Sequence, residues 1–246
     1  MDTAQPTLIL SSRYTEDSRL LWQAAIRRGW RVERIHGWRI PDHLRAVTSP
    51  ILYLEALFAP MLAAEFGLIL NEPPDDWLPR LPLEYRRREV RLTTLAHARQ
   101  LSAPAFIKPP NDKQFPAAVY EPVNLPDLPD ETPVLVADIV SWASEYRCFI
   151  LDRQLMTTSI YLRDGELQRA NDFRATEAEH ADMTTFVQTV LADKRVDLPS
   201  AVVLDVGIIR DQGWAVVELN AAWGAGLYGC NPDRALDVIR QAAVPL

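Results

Sequence analysis

The segment Val202-Val203-Leu204-Asp205-Val206 sets one acid inside an apolar run, and Val216-Val217-Glu218-Leu219-Asn220, shortly after it, sets an acid and an amide inside another. Both runs have the valine content and length of buried strands. Asp211-Gln212-Gly213 between them reads as a hairpin turn. Side chains alternate along a strand, so Glu218 and Asn220 face the same way, and the hairpin can bring Asp205 to the same surface. Two carboxylates and an amide oxygen in one place form a hard-oxygen site of the kind that holds Mg²⁺ beside phosphate groups. The alternative is a polar sheet edge on which Asn220 caps a turn. Three acceptors among apolar neighbours favour the metal site.

Working outward, Gly224, Gly226 and Gly229 follow directly in Ala221-Ala222-Trp223-Gly224-Ala225-Gly226-Leu227-Tyr228-Gly229. Such a loop lets backbone N–H groups approach an anion. Neither a Walker A pattern nor a G-x-G-x-x-G after a strand is present, so P-loop and Rossmann binding are not supported. Upstream, the basic residues are almost all arginine; of the three lysines, Lys108 and Lys113 fall within one short window. Lysine is a compact point charge where arginine is a broad planar fork, so lysine here suggests a tight anion site. Lys108 closes the apolar strand Phe106-Ile107-Lys108-Pro109, and the prolines after it fix its direction. An edge lysine that snorkels to water is the plainer reading, and Lys113 sits in a turn-like Asn111-Asp112-Lys113-Gln114. In Ser144-Glu145-Tyr146-Arg147-Cys148-Phe149-Ile150, Glu145 and Arg147 share one strand face. A carboxylate there can accept ribose hydroxyls, and an arginine can pair with phosphate or a substrate carboxylate; a cross-strand ion pair is the other possibility.

Around these motifs the chain reads as an α/β (α+β) protein in two parts, an N-terminal α/β domain over 1–82 and a second domain over 83–246. Thr7–Ser11, Arg31–Ile35, Ile51–Leu54 and Leu68–Leu70 are expected as strands alternating with helices, and so parallel-paired. Thr15 is positioned to cap the first helix, with Leu20, Leu21, Trp22, Ala24 and Ala25 at helical spacing before Gly29. A proline-rich segment, 71–82, links the parts. Leu83–Leu101 is expected to be a helix with Val90, Leu95, Ala98 and Leu101 on one side and Arg86, Arg87 and Arg88 near its start. Beyond it come strands at Ala105–Lys108, Ala117–Tyr120, Val134–Val140, Tyr146–Leu151 and Met156–Leu162. An Asp164-Gly165 turn, a helix over Glu177–Leu191, the hairpin and a last helix from Pro232 follow.

The composition bounds the function. With 48% hydrophobic and 24% charged residues over 246 positions, the chain is that of an ordinary soluble globular protein. Its richest apolar stretch, Ile51–Leu70, is broken by Glu55, Pro60 and Glu65, short of the roughly 20 residues of a membrane helix. The N-terminus is not that of a signal peptide, which places the protein in the cytoplasm. The formal charge of −7 argues against sequence-independent nucleic-acid binding. Cys148 and Cys230 read as buried reduced thiols. His36, His43, His97 and His180 lack zinc-site spacing.

Taken in order, these pieces resemble the ATP-grasp superfamily, over about Leu83 to Leu246. That family uses a strand lysine on the phosphates, an apolar strand as the adenine hinge, a ribose-binding Glu, and Asp-x12-Glu-x-Asn for two Mg²⁺ ions. The resemblance implies Lys108 for the lysine. It implies Val134–Val140 for the hinge, with Val136, Asp138 and Ile139 along the nucleotide, Glu145 for the ribose, and Asp205, Glu218 and Asn220 for the metal. Phe106–Tyr120, Ser144–Ile150 and Glu218–Gly229 most resemble the divergent clade in which a phosphate-contacting arginine gives way to lysine. Val203 stands where common members carry that arginine, and Lys113 is the candidate for the compensating charge. The linker lacks the lysine that other members use on phosphate, and the Arg86–Arg88 cluster is the candidate substitute. The implied cofactors are ATP and Mg²⁺, and the implied activity is a carboxylate–amine ligase. In it ATP phosphorylates a carboxylate, an amine displaces the phosphate, and Lys108, Lys113 and Arg147 balance charge. The substrates would be a carboxylate and an amine, a peptide or protein among the candidates. A reading from a different class is an ATP-binding assembly chaperone using the same nucleotide site; that clade includes one.

Overall fold

The computed structural model describes residues 5–111 and 114–246. Its first unit is a parallel sheet in the order β2-β1-β3, with β1 at Thr7–Ser11, β2 at Arg31–Ile35 and β3 at Pro50–Tyr53. Leu8, Ile9 and Leu10 are wholly buried, as a central parallel strand covered on both faces requires. Helix α1, Glu16–Arg27, starts at the expected Thr15 cap, here a full capping box in which Thr15 Oγ1 accepts from Ser18 N and Ser18 Oγ accepts from Thr15 N. It buries Leu21, Ala24 and Ala25. Trp22, counted above with the apolar face, is instead 46% exposed, because a residue one step from Leu21 lies about 100° around the helix.

After α2 (Ala59–Glu65) comes β4, Leu68–Leu70. It does not join the parallel sheet. It pairs antiparallel with β14, Ala243–Pro245, near the far end of the chain. The core around β1 likewise takes in Phe149, Ala201, Val203, Trp223, Leu236 and Ile239 from later segments.

The single helix expected over Leu83–Leu101 is absent. Two short helices, α3 (Trp77–Arg80) and α4 (Leu83–Arg86), end at Arg87 with a left-handed φ of 47°. Strand β5 (Val90–Thr94) and a single turn, α5 (Leu95–Ala98), follow. The apolar spacing that mimicked one helix runs across a strand–helix junction. Val90-Arg91-Leu92-Thr93-Thr94 alternates and is rich in β-branched residues, and β8 (Pro133–Ala137) supplies its ladder from Val90↔Ala137 to Thr94↔Pro133. With β6 (Ala105–Lys108) and β7 (Ala118–Tyr120) these form an antiparallel sheet ordered β5-β8-β6-β7.

A second antiparallel sheet is ordered β11-β10-β9-β12-β13. It is built from β9 (Trp142–Leu151), β10 (Gln154–Arg163), β11 (Glu166–Leu167), β12 (Ala201–Ile209) and β13 (Gly213–Ala221). The Asp164-Gly165 and Asp211–Gly213 turns fall where expected. Helix α6 (Glu177–Ala192) opens on a Thr176 capping box and packs on β10 and β12. Helix α7 (Pro232–Ile239) is capped by Asn231 Oδ1, which accepts from Asp233 N and Arg234 N. At Gly207 a Cβ would lie 2.5 Å from the Ser144 carbonyl oxygen and 2.8 Å from the Trp142 ring. The missing side chain is what lets Trp142 lie against β12. No helix among the described residues is long and apolar enough to cross a membrane.

Both cysteines are free and buried. Burial pushes each thiol upward, that of Cys230 to about 12, so neither holds a reactive thiolate near neutrality. The native protein at pH 8 is therefore expected to show no fast reaction with a chromogenic disulfide, and two equivalents once denatured. One rapidly labelled equivalent in the native state would show an opening that the fold does not have.

Candidate active site

The two antiparallel sheets face each other across a cleft of about 350 Å³. From the four-stranded side come Lys108, Leu135, Ala137, Asp138 and Ile139; from the five-stranded side come Trp142, Glu145, Tyr161, Val217 and Glu218. Asp138 and Ile139 therefore border it, and the Asp138 carboxylate accepts from Glu89 N at 2.8 Å. Val136 points the other way, into a core with Leu95 and Ile107, as alternation between Leu135 and Ala137 demands. Lys113 lies outside the described residues.

Strand register assembles the cleft floor. Asp205 on β12 stands opposite Glu218 on one side and Arg147 on the other. Asn220 Nδ2 donates to Glu218 Oε1 at 3.0 Å and to Asp205 Oδ2 at 3.1 Å. The three residues read from the hairpin thus do converge. The Lys108 ammonium, from a strand 110 residues before Glu218, closes the group by an ion pair to Glu218 Oε2. Burial works to raise the Glu218 carboxyl, but Lys108 and the Asn220 amide outweigh it and hold the group at about 2. Glu145 accepts a hydrogen bond from the Tyr161 hydroxyl at 2.7 Å, while burial raises its pKa.

Arg147 makes the cross-strand ion pair given above as the other possibility, with Asp205 on β12. Its Nε and Nη2 donate to Asp205 Oδ1 and Oδ2 at 3.0 and 2.6 Å, and its Nη1 donates to the Gly226 carbonyl at 3.0 Å. The guanidinium lies 5.4 Å from the Tyr161 ring centre and 4.8 Å from that of Tyr228. Burial opposes its charge, and the Asp205 carboxylate more than offsets that, so the arginine stays protonated.

The glycine-rich loop after β13 is tied from both sides. Leu54 N donates to Trp223 O, the Tyr53 hydroxyl to Ala225 O, and Ser159 Oγ to Tyr228 O. Leu227 N donates to Asp17 Oδ2 at 3.1 Å, so that amide is already occupied. A Cβ on Gly226 would lie 3.1 Å from the Tyr228 ring and 3.2 Å from the same Asp17 oxygen. Close approach of these neighbours is what the glycine permits here.

Among Arg86–Arg88, Arg88 is the residue that lines the cleft. It is buried, 5.0 Å from the Trp142 ring centre, and donates to the carbonyls of Val216 and Val217 at 2.8 and 2.9 Å. Burial, helped by Arg86, lowers its pKa to about 10. The arginine run was the only sequence signal for it. Trp142 and Tyr161 carried none.

For Mg²⁺ the donor chemistry fits in part. Glu218 is a hard donor on the cleft surface, and the amide of Asn220 beside it carries a second hard oxygen. Asp205 lies behind them with both oxygens engaged.

Solved structures share this architecture. A RimK domain ATP-grasp protein from Sphaerobacter thermophilus aligns over 96% of this chain and 97% of its own, at TM-score 0.54 and 16% identity. The D-alanine–D-alanine ligase of Bacillus anthracis aligns over 97% of each chain, at TM-score 0.53 and 10% identity. The macrocyclase MdnC of Microcystis aeruginosa, bound with precursor peptide MdnA, aligns over 94% of this chain and 97% of its own, at 0.54 and 12%. No curated protein matches the chain in sequence. The fold is that of the ATP-grasp proteins. Residues 85–238 match the sequence profile of an ATP-grasp domain, the second family of the arginine-to-lysine clade, and the chain belongs to that family.

Proposed function

We propose that the chain binds ATP with Mg²⁺ in the cleft between its antiparallel sheets and uses it to activate a carboxylate for attack by an amine. The observation that carries this reading is the meeting of Lys108 and Glu218 in a cavity that Glu145 also lines, with Asn220 hydrogen-bonded to Glu218 behind it. Ala137, Asp138 and Ile139 would flank the base, and Glu145 would accept the ribose hydroxyls. Lys108 would leave Glu218 and move its charge to the phosphates. Mg²⁺, held by Glu218 and Asn220, would neutralise phosphate charge as it develops. The γ-phosphoryl group would pass to a carboxylate oxygen, giving an acyl phosphate and ADP. The amine would then form the amide, releasing phosphate and a proton. The chain supplies position and charge and needs no nucleophile of its own. Residues 1–82 would form the unit that brings the acceptor to the glycine-rich loop. That MdnC is bound with a precursor peptide supports a peptide as one class of substrate.

ATP together with Mg²⁺ is expected to stabilise the protein against heat more than either alone, by about 2.7 kcal/mol at a hundredfold excess over Kd. Glu218→Gln should abolish most of the metal dependence. An equal ATP-induced shift in the presence of EDTA would rule out a metal at this carboxylate. Release of ADP only when an acid and an amine are both added distinguishes a ligase from a chaperone, which would bind ATP and turn over neither.

A further inference from the structure

Two carboxylates meet at the cleft floor, and their surroundings differ sharply. Glu218 is partly open, at 28% side-chain exposure, and its partners are the Lys108 ammonium and the Asn220 amide. Lys108, at the end of a flexible side chain in the cleft wall, can trade Glu218 for a phosphate. Asp205 has a side-chain exposure of 0%. Its Oδ1 accepts from Arg147 Nε, and its Oδ2 accepts from both Arg147 Nη2 and Asn220 Nδ2.

Arg147 has nowhere to go. It is itself buried, its guanidinium lies over the adjoining rings of Tyr161 and Tyr228 and also holds the Gly226 carbonyl, and its backbone lies in β9 directly beside Asp205. A divalent ion on an Asp205 oxygen would have to reach a side chain with no exposed surface, take the one acceptor site that its three hydrogen bonds leave, and set its charge against a guanidinium that cannot retreat. A buried pair broken on one side is far more costly than an exposed one, whereas the exchange at Glu218 only replaces one cation with another.

We infer that Asp205 is a positioning residue for Arg147 and not a metal ligand, and that the nucleotide's metal is held on the protein side by Glu218 and Asn220 alone. This rests on the Mg-ATP reading above. Asp205 then acts at one remove. It sets Arg147 in one orientation, and Arg147 sets the carbonyl of Gly226 in the glycine-rich loop.

Mn²⁺ can stand in for Mg²⁺, with a non-hydrolysable ATP analogue to complete the site, and free Mn²⁺ can be followed by its paramagnetic resonance signal. Glu218→Gln is expected to weaken Mn²⁺ binding at least about tenfold, the order of one lost charged ligand. Asp205→Asn, which keeps the shape and one acceptor, is expected to hold Mn²⁺ affinity within about twofold while lowering the melting temperature. Equal loss of Mn²⁺ in both variants would overturn the inference. Should Asp205→Asn fail to fold, the wild-type complex decides through anomalous scattering from Mn²⁺. A metal at ligand distance, about 2.0–2.3 Å, from Glu218 and more than about 4 Å from Asp205 supports it, and ligand distance to Asp205 overturns it. Failure of the analogue to bind the wild type would instead remove the Mg-ATP reading, and the analogue's own titration shows that separately.

Discussion

Lys108→Ala is expected to weaken binding of a non-hydrolysable Mg-ATP analogue by about 10- to 100-fold, the value of one or two charged hydrogen bonds to phosphate. The same change should strengthen binding of Mn²⁺ in the absence of nucleotide. In the structure Lys108 occupies Glu218 Oε2, so the lysine and a cation compete for one carboxylate until phosphate draws the lysine away. Opposite signs for nucleotide and bare metal are a more demanding result than a simple loss. Lys108→Arg should recover neither, because a planar fork does not fit where a point charge swings between two partners. Calorimetric titration with the analogue and with Mn²⁺ measures both. Unchanged affinity for the analogue in both variants would take Lys108 out of the nucleotide site.

Arg147→Ala should be the most damaging single change in the cleft floor. It strands the Asp205 carboxylate, whose side chain is 0% exposed, and removes the guanidinium that lies over the adjoining rings of Tyr161 and Tyr228. Loss of one partner of a buried ion pair costs about 3–5 kcal/mol, which for a chain of this size lowers the melting temperature by on the order of 10 °C. The paired change Arg147→Met with Asp205→Leu replaces both charges with apolar groups of similar bulk, and it should recover much of that stability. Denaturant midpoints of the single and paired variants give the comparison. A loss under about 1 kcal/mol for Arg147→Ala, the scale of an exposed pair, would mean that the pair is wet and the burial of Asp205 is not maintained in solution.

What the sequence disclosed follows from how local each feature is. Asp205, Glu218 and Asn220 could be read because one short hairpin brings them together, and strand alternation then decides their faces. Lys108 stood out because the chain otherwise uses arginine almost throughout. The cap at Thr15 needed only one turn of chain. The partner of Arg147 was not legible. A cross-strand ion pair was one of the readings, but its partner depends on the register between β9 and β12, which set Arg147 beside Asp205 across 58 residues of chain. The region 83–101 was misread for a related reason. Val90, Leu95, Ala98 and Leu101 have helical spacing, yet the ladder that makes Val90–Thr94 a strand comes from β8, well beyond the region's end. Arg88 could not be told from Arg86 and Arg87 before Trp142 and the carbonyls of β13 were in place around it.

The pairing of β4 with β14 reaches into how the molecule is made. Leu68–Leu70 waits for Ala243–Pro245, and α1 waits for α7, to which Arg27 and Arg28 bind through Asp233 and Asp237 at 2.6 Å. During synthesis at roughly 5–20 residues per second, the first unit emerges many seconds before the segments that complete it. Until then it carries an open strand edge and an uncovered helix face, the kind of surface that chaperones hold and that misassembles when crowded. The first unit is begun first and covered last. A release from the ribosome that stops short of α7 should therefore leave not a shortened protein but one whose opening third has never closed.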